Sequence, residues 1–341
     1  GLVDTTRLTH GLQKARQSSS RALHTRAMHT TARRADATQA LLMERPALER
    51  MLVAGADLRT NMLPETGFNN SYYVGPRLPS TGSLVRSSCT CNPMTPLVDA
   101  ELNQGGAADN AANALEGDAF TAVMDGIRER LHAVLELPEG TGIVLAASGT
   151  DAELFPIAIA RALNPHAENV RTVISASKEI GKGVALAAGG VYSSPQTPMR
   201  ALGDAHYADD AAAFLSEGLP ADLVARVQAR VVPNRDESGN LVCAKKVNAE
   251  ELAAALDARE PLILHSVQGT KTNQREPYPP ADFAAVGSGA TPGEDVFVVI
   301  DACQARCAND EITRWLDDGA ITLVTGSKFY QGPPFSGALL I

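Results

Sequence analysis

The 341-residue sequence has no excess of basic residues; its formal net charge is −9. A general nucleic-acid binder shows a basic face, so the balance argues against that class. No apolar run approaches the roughly 18 to 20 residues that carry a helix across a bilayer, so no membrane contact is expected. Cysteine is scarce, with Cys89, Cys91, Cys243, Cys303 and Cys307 making an odd count of five. Their spacing lacks the two paired knuckles of a zinc site, so no metal is expected. Cys89-Thr90-Cys91 reads as two small residues in a tight segment, or as a metal or redox pair. Cys303 and Cys307 read as packing residues, and a reducing compartment, the cytoplasm, is the default. There are no internal repeats and no low-complexity tract. What remains, 44% hydrophobic and 20% charged residues, is the composition of a globular chain with ample core.

The informative stretch lies at the end of the sequence. A buried-looking run, 296–300, ends directly in Asp301, and a second, 320–324, runs into Thr325-Gly326-Ser327-Lys328. Two apolar strands that each deliver one charged residue at the C-terminal end describe a site on the carboxyl edge of a parallel sheet. Open α/β sheets bind ligands there. A lysine just past a buried strand can lose its proton when partly desolvated and become an amine nucleophile that forms Schiff bases. A nearby aspartate can pair with a protonated pyridine nitrogen. Those two contributions are what a protein makes to pyridoxal 5'-phosphate (PLP) chemistry. Taken singly, Asp301 reads equally as a helix cap and Lys328 as a surface residue at a turn.

Residues 1–35 hold seven Lys or Arg against one acid, Asp4, with abundant Ser and Thr. This start resembles an organellar transit peptide for mitochondrion or plastid. It also reads as a basic arm that embraces a partner subunit. Residues 40–60 carry a helical pattern. Residues 61–96 form a long Gly-, Pro- and Asn-rich loop whose Tyr72-Tyr73 and Arg86-Ser87-Ser88 are placed to reach a site in the same or a neighbouring subunit. Residues 1–108 are therefore set apart from a large domain, 109–341.

Within 109–341, apolar residues at helical spacing predict a helix over 109–136. Strands are predicted over 142–147, 170–175, 229–233, 261–266, 296–300, 320–324 and 336–341. Helices are predicted over 153–163, 209–230 and 248–258, with a hairpin or loop at 234–240. Strands alternating with helices imply a three-layer α/β/α fold around a mostly parallel seven-stranded sheet. The last strand follows Lys328 after a short turn with no room for a crossover helix, so it is expected to run antiparallel. The first strand enters Ser148-Gly149-Thr150, then a helix: a small hydroxyl-rich turn suited to an anion such as phosphate. It is not the G-x-G-x-x-G turn of a dinucleotide-binding oxidoreductase.

These residues resemble fold-type I PLP-dependent enzymes, the aspartate aminotransferase superfamily, and within it the class V branch of cysteine desulfurases, kynureninase and some aminotransferases. Ser148-Gly149-Thr150 is similar to the family's phosphate turn. Asp301 is similar to the acid that pairs with the pyridine nitrogen, and Gln304 completes a D-x-x-Q pattern whose Gln bonds the cofactor's phenolic oxygen. Ser327-Lys328 is similar to the hydroxyl residue and Schiff-base lysine, 27 residues after Asp301. The resemblance covers residues 110–341. It implies PLP held by Lys328, Asp301, Gln304 and the Ser148-Gly149-Thr150 turn, with help from Thr325 and Ser327. It also implies an amino acid as small-molecule substrate and a homodimer.

Lys328 would serve as nucleophile and then general base. Transamination, β-elimination and desulfuration all share that scheme. Aminotransferase is the first expectation, and a lyase of desulfurase or kynureninase type the second. A catalytically silent relative would lack Asp301 or Lys328, and both are present. Family members continue into a smaller C-terminal domain, which this sequence does not reach. In desulfurases a His stacks on the ring after the second strand, where this sequence reads Ser175-Ala176-Ser177-Lys178 with no aromatic. His265, ending the fourth strand, is a candidate contact to cofactor or substrate. Lys271 and Arg275 are candidates for a substrate carboxylate, or solvated surface charges.

Overall fold

A computed structural model describes residues 90, 92–93, 95–104, 117–181, 183–190, 226–242, 244–273, 275, 290–334 and 336–341. Two helices come first, α1 (Pro96–Gln104) and α2 (Gly117–Val134). Then follow β1 (Ile143–Ala146), α3 (Gly149–Ala152), α4 (Phe155–Leu163), β2 (Asn169–Ile174) and α5 (Val184–Ala187). The remaining elements are β3 (Arg226–Val231), α6 (Lys245–Ala258), β4 (Leu262–Val267), β5 (Val296–Asp301), α7 (Asn309–Asp317), β6 (Ile321–Thr325) and β7 (Gly337–Leu340).

The strands form one seven-stranded sheet in the order β1-β7-β6-β5-β4-β2-β3. Neighbours from β6 to β3 pair in parallel, while β7 runs antiparallel to both β6 and β1. The carboxyl ends of β1 to β6 therefore share one edge. Strands β4 and β6 are buried along their whole length, as sheets covered on both faces require. Alternate residues feed opposite faces. Val299, Phe297, Ile263 and Leu323 pack with Ile157 and Ala160 of α4, whereas Ile300 and Val324 pack with Ile312 and Trp315 of α7. Helix α6 covers the second face further along, through Leu252 and Ala255 against Leu262 and Leu264. The expected three-layer α/β/α arrangement and the antiparallel last strand are both present.

Several expected boundaries move. Residues 226–230, read as the end of a helix, belong to β3. Val227 and Ala229 are buried there while Arg226 is exposed, a period of two that suits an edge strand. The remainder of the 209–230 helix falls outside the described residues, as do the 40–60 helix, nearly all of the 61–96 loop and the basic residues of 1–35. The helix predicted from Glu153 starts earlier, at Gly149, because Ser148 caps it, and it breaks at Glu153 and Leu154 before α4 opens with Phe155 and Pro156. No helix among the described residues is long and apolar enough to cross a membrane.

Candidate active site

The structure brings Asp301 and Lys328 to the same edge. Asp301 is the last residue of β5, paired in register with Leu323 of β6. β6 ends at Thr325, and the chain then turns tightly, closed by Gly332 N–H to the Gly326 carbonyl (2.8 Å) and Gln331 N–H to the Lys328 carbonyl (3.0 Å). Ser327 is fully buried in this turn, and Lys328 next to it is half-buried. The Cys303 N–H donates to Asp301 Oδ1 (3.0 Å), which fixes the carboxylate at the strand end. Both charges act on one buried carboxyl, that of Glu153. They also act on the Cys303 thiol, whose pKa burial and Asp301 push well above its usual value.

The Ser148-Gly149-Thr150 turn lies at the carboxyl end of β1, all three residues buried. The first N–H groups of a helix have no acceptor in the preceding turn, so Gly149 and Thr150 open α3 with donors to offer. The Ser148 hydroxyl is engaged locally. It donates to Asp151 Oδ2 (2.6 Å) and accepts from the Asp151 N–H (3.2 Å). Two glycines let the backbone close up here. A Cβ on Gly149 would lie 2.4 Å from Cys303 Sγ and 3.2 Å from Thr325 Cγ2, and one on Gly337 would lie 2.7 Å from the Ser148 carbonyl carbon. Thr325 is part of the same packing, its hydroxyl donating to the Cys303 carbonyl (2.9 Å). Gln304 follows Asp301 on a turn closed by Ala305 N–H to the Ala302 carbonyl (2.8 Å) and stays half-buried.

His265 is placed one step below Asp301. On β4 it pairs with Val299, while Val267 pairs with Asp301. Its Nδ1 lies 3.0 Å from Glu153 Oε2, with side chains 2% and 1% exposed. The approach is ionic in distance but off the line of a full hydrogen bond, and the ring's Nε2 is buried with no hydrogen-bond partner among the described residues. Burial raises the Glu153 pKa; the facing His265 opposes the rise, Asp301 adds to it, and Lys328 opposes it.

Some residues of this edge carried no signal in the sequence. Glu153, buried at the end of α3, is one of them. Thr90, 4% exposed, shares a 2.7 Å hydrogen bond with the Ser327 hydroxyl across 237 residues. Glu179, in the loop after β2, accepts from Asn234, Thr270 and Thr272 and so ties three loops together. Arg306 lies with its guanidinium over the Phe329 ring, 4.9 Å from the centroid. Of the two cations proposed for a carboxylate, Arg275 is committed to Glu311 (2.6 Å) and the Arg306 carbonyl (2.8 Å), and Lys271 is exposed. Among the described residues no group of three His, Cys, Asp or Glu is arranged to hold a metal ion.

The edge thus carries the opening of α3, the Asp301 carboxylate and the turn that bears Lys328. No family model matches the chain, and no curated relative does. Solved structures do resemble it. One is Oryza sativa TDC with PLP, at 17% identity and TM-score 0.38, covering 62% of this chain and 42% of that one. Another is an alanine–glyoxylate aminotransferase from Nostoc sp., at 16% identity and TM-score 0.40, covering 78% and 55%. A third is the glutamate decarboxylase domain of a diaminobutyrate-pyruvate transaminase and L-2,4-diaminobutyrate decarboxylase from Vibrio parahaemolyticus, at 12% identity and TM-score 0.49, covering 94% and 68%. The chain thus spans 42% and 55% of the length of the first two, and the fold assignment itself stands on the strand order and register given above.

Proposed function

We propose that this chain is the cofactor-holding domain of a PLP-dependent enzyme that acts on an amino acid, an aminotransferase in the first instance. The observation that carries the reading is that Asp301 and Lys328 lie at and just past the carboxyl ends of adjacent parallel strands, on the edge that also holds the opening of α3. PLP, when bound, supplies an electron sink for negative charge at the substrate's α-carbon. The N–H groups of Gly149 and Thr150 would hold its phosphate, and Gln304 its phenolic oxygen. The Asp301 carboxylate, oriented by the Cys303 N–H, would hold the ring nitrogen's proton in place. The Lys328 amine would act first as nucleophile and, once freed, as the base that moves the α-proton. A homodimer belongs to the same proposal. Its candidate surface includes α2, which has no buried residue and exposes Phe120 and Val123.

The test is a visible spectrum of purified protein supplied with PLP, before and after borohydride, with Lys328→Ala alongside. A visible band that the variant lacks and that borohydride abolishes, leaving the reduced cofactor covalently on the Lys328 peptide, supports the reading. A protein that takes up no PLP, or whose adduct maps to another lysine, refutes it. Keto acid appearing with an amino acid and a keto-acid acceptor marks a transaminase; sulfide, amine or carbon dioxide release marks a lyase or decarboxylase instead.

A further inference from the structure

We propose that Arg306 is a carboxylate-binding side chain at the mouth of the Lys328 site and so helps select the substrate; this rests on the reading just given. Three unusual local features place its guanidinium. Ala305, immediately before it, adopts a left-handed backbone (φ 49°), which costs a non-glycine residue energy. Gly269, also left-handed, has no side chain where one would be 3.0 Å from Arg306 Cβ and 3.1 Å from its Cδ, so the arginine stem lies directly over the loop that follows β4. Phe329, the residue after Lys328, is 48% exposed and supplies the ring on which the guanidinium rests.

Arg306 is therefore wedged between the β4 loop and the lysine turn, five residues past Asp301.

What it does there follows from its partners. One terminal nitrogen donates to the Thr270 carbonyl. No carboxylate among the described residues pairs with it, whereas its neighbour Arg275 is matched by Glu311. A guanidinium presents five donors in a rigid fork, and stacking on a ring leaves its edge free. A cation that meets no carboxylate among the described residues, held against the residue next to Lys328, suits a carboxylate carried by the same molecule that the lysine engages. That carboxylate has two possible sources: the α-carboxylate of an amino acid, or an acidic side chain.

The experiment titrates holoprotein with the twenty L-amino acids and follows the visible band. Each amino acid that shifts the band is paired with its amine lacking the α-carboxylate, and aspartate and glutamate with asparagine and glutamine. Arg306→Gln and Arg306→Lys are run beside the parent. The band itself is expected to persist in both variants. Loss of a charge-assisted pair is expected to weaken the band-shifting amino acids roughly 10- to 100-fold. The matching amines are expected to bind as before, and Arg306→Lys to recover part of the loss.

A selective loss for aspartate and glutamate over their amides would assign Arg306 to the side-chain carboxylate; an equal loss for all would assign it to the α-carboxylate. If amino acid and amine weaken alike with no extra loss for aspartate and glutamate over their amides, or if neither weakens, Arg306 only joins the two loops and the proposal fails while the cofactor reading stands. If the parent shows the band but no amino acid shifts it, the amino-acid reading falls and this assignment with it.

Discussion

Replacing Gly149 by alanine tests whether the α3 turn and the Asp301 loop are one packed unit. The new methyl would lie 2.4 Å from Cys303 Sγ, well inside contact distance. Cys303 has little room to yield. It is 3% exposed, its N–H is bound to Asp301 Oδ1 at 3.0 Å, and its carbonyl accepts from Thr325 Oγ1 at 2.9 Å. Relief must come from an off-rotamer thiol or from displacing the backbone that carries Asp301. Overpacking of this kind costs about 1–3 kcal/mol. At about 2–4 °C per kcal/mol for chains somewhat shorter than this one, Tm should fall by several degrees.

The clash is with one atom, so trimming that atom should relieve it. Cys303→Ala in the Gly149→Ala background removes Sγ and leaves both backbone hydrogen bonds in place. The double variant is expected to be more stable than the sum of the singles predicts, with a coupling of about 0.5–3 kcal/mol in urea unfolding. PLP affinity should track the same cycle, falling in Gly149→Ala and recovering in the double variant, because the displaced segment orients Asp301. Gly337→Ala is the control. Its Cβ would meet Ser148 backbone atoms at 2.7 and 3.0 Å, with no side chain to trim, so Cys303→Ala should not rescue it. If Gly149→Ala leaves stability unchanged, or the two substitutions simply add, the packing argument is wrong.

Two further predictions concern what holds the sheet and loops. Arg171 on β2 is 13% exposed and binds Glu260 (2.6 Å) and Glu251 (3.2 Å), themselves 10% and 7% exposed. Arg171→Met should cost about 3–5 kcal/mol in urea unfolding. The lower end is expected, since Arg230 (3.0 Å) still covers Glu251; a cost under 1 kcal/mol would mean that the buried acids find other partners. At Glu179, desolvation pushes the carboxyl pKa up, but the hydrogen bonds from Thr270, Thr272 and Asn234 outweigh it and leave the group below its usual value. A depressed folded-state pKa gives stability above the unfolded value of about 4.3 that is lost as pH falls through the folded value. The stability gap between parent and Glu179→Gln should therefore be full near neutrality and close in acid, and a gap that widens in acid would reverse the assignment.

The strands were legible because they are buried on both faces and so read as unbroken apolar runs, as 296–300 shows. Asp301 and Lys328 were legible for the same reason: each is the first charge after such a run. The antiparallel last strand followed from chain length alone. The error at 226–230 arose where an edge strand, Arg226-Val227-Gln228-Ala229-Arg230, carries only two buried residues and follows a long polar segment. With so short an apolar record, helical and strand periods cannot be told apart.

The side chains that sequence reading missed are those whose meaning depends on a partner far along the chain. Glu153 stands at the end of α3. Only the fold sets it against His265, 3.0 Å away on β4 and just beneath Asp301. A carboxyl 1% exposed has its pKa pushed up, by burial first and then by the Asp301 carboxylate, against the opposing pull of the facing His265 and of Lys328. Asp301 is placed differently: only half-buried, and bonded to the Cys303 N–H. The two acids thus stand at different depths, one sealed beneath the sheet edge and one ending its strand at that edge. That placement leaves the strand-end acid, and not the buried one, at the edge of the sheet. It also explains why a composition with 39 acids said so little: depth decides the role, and depth belongs to the fold.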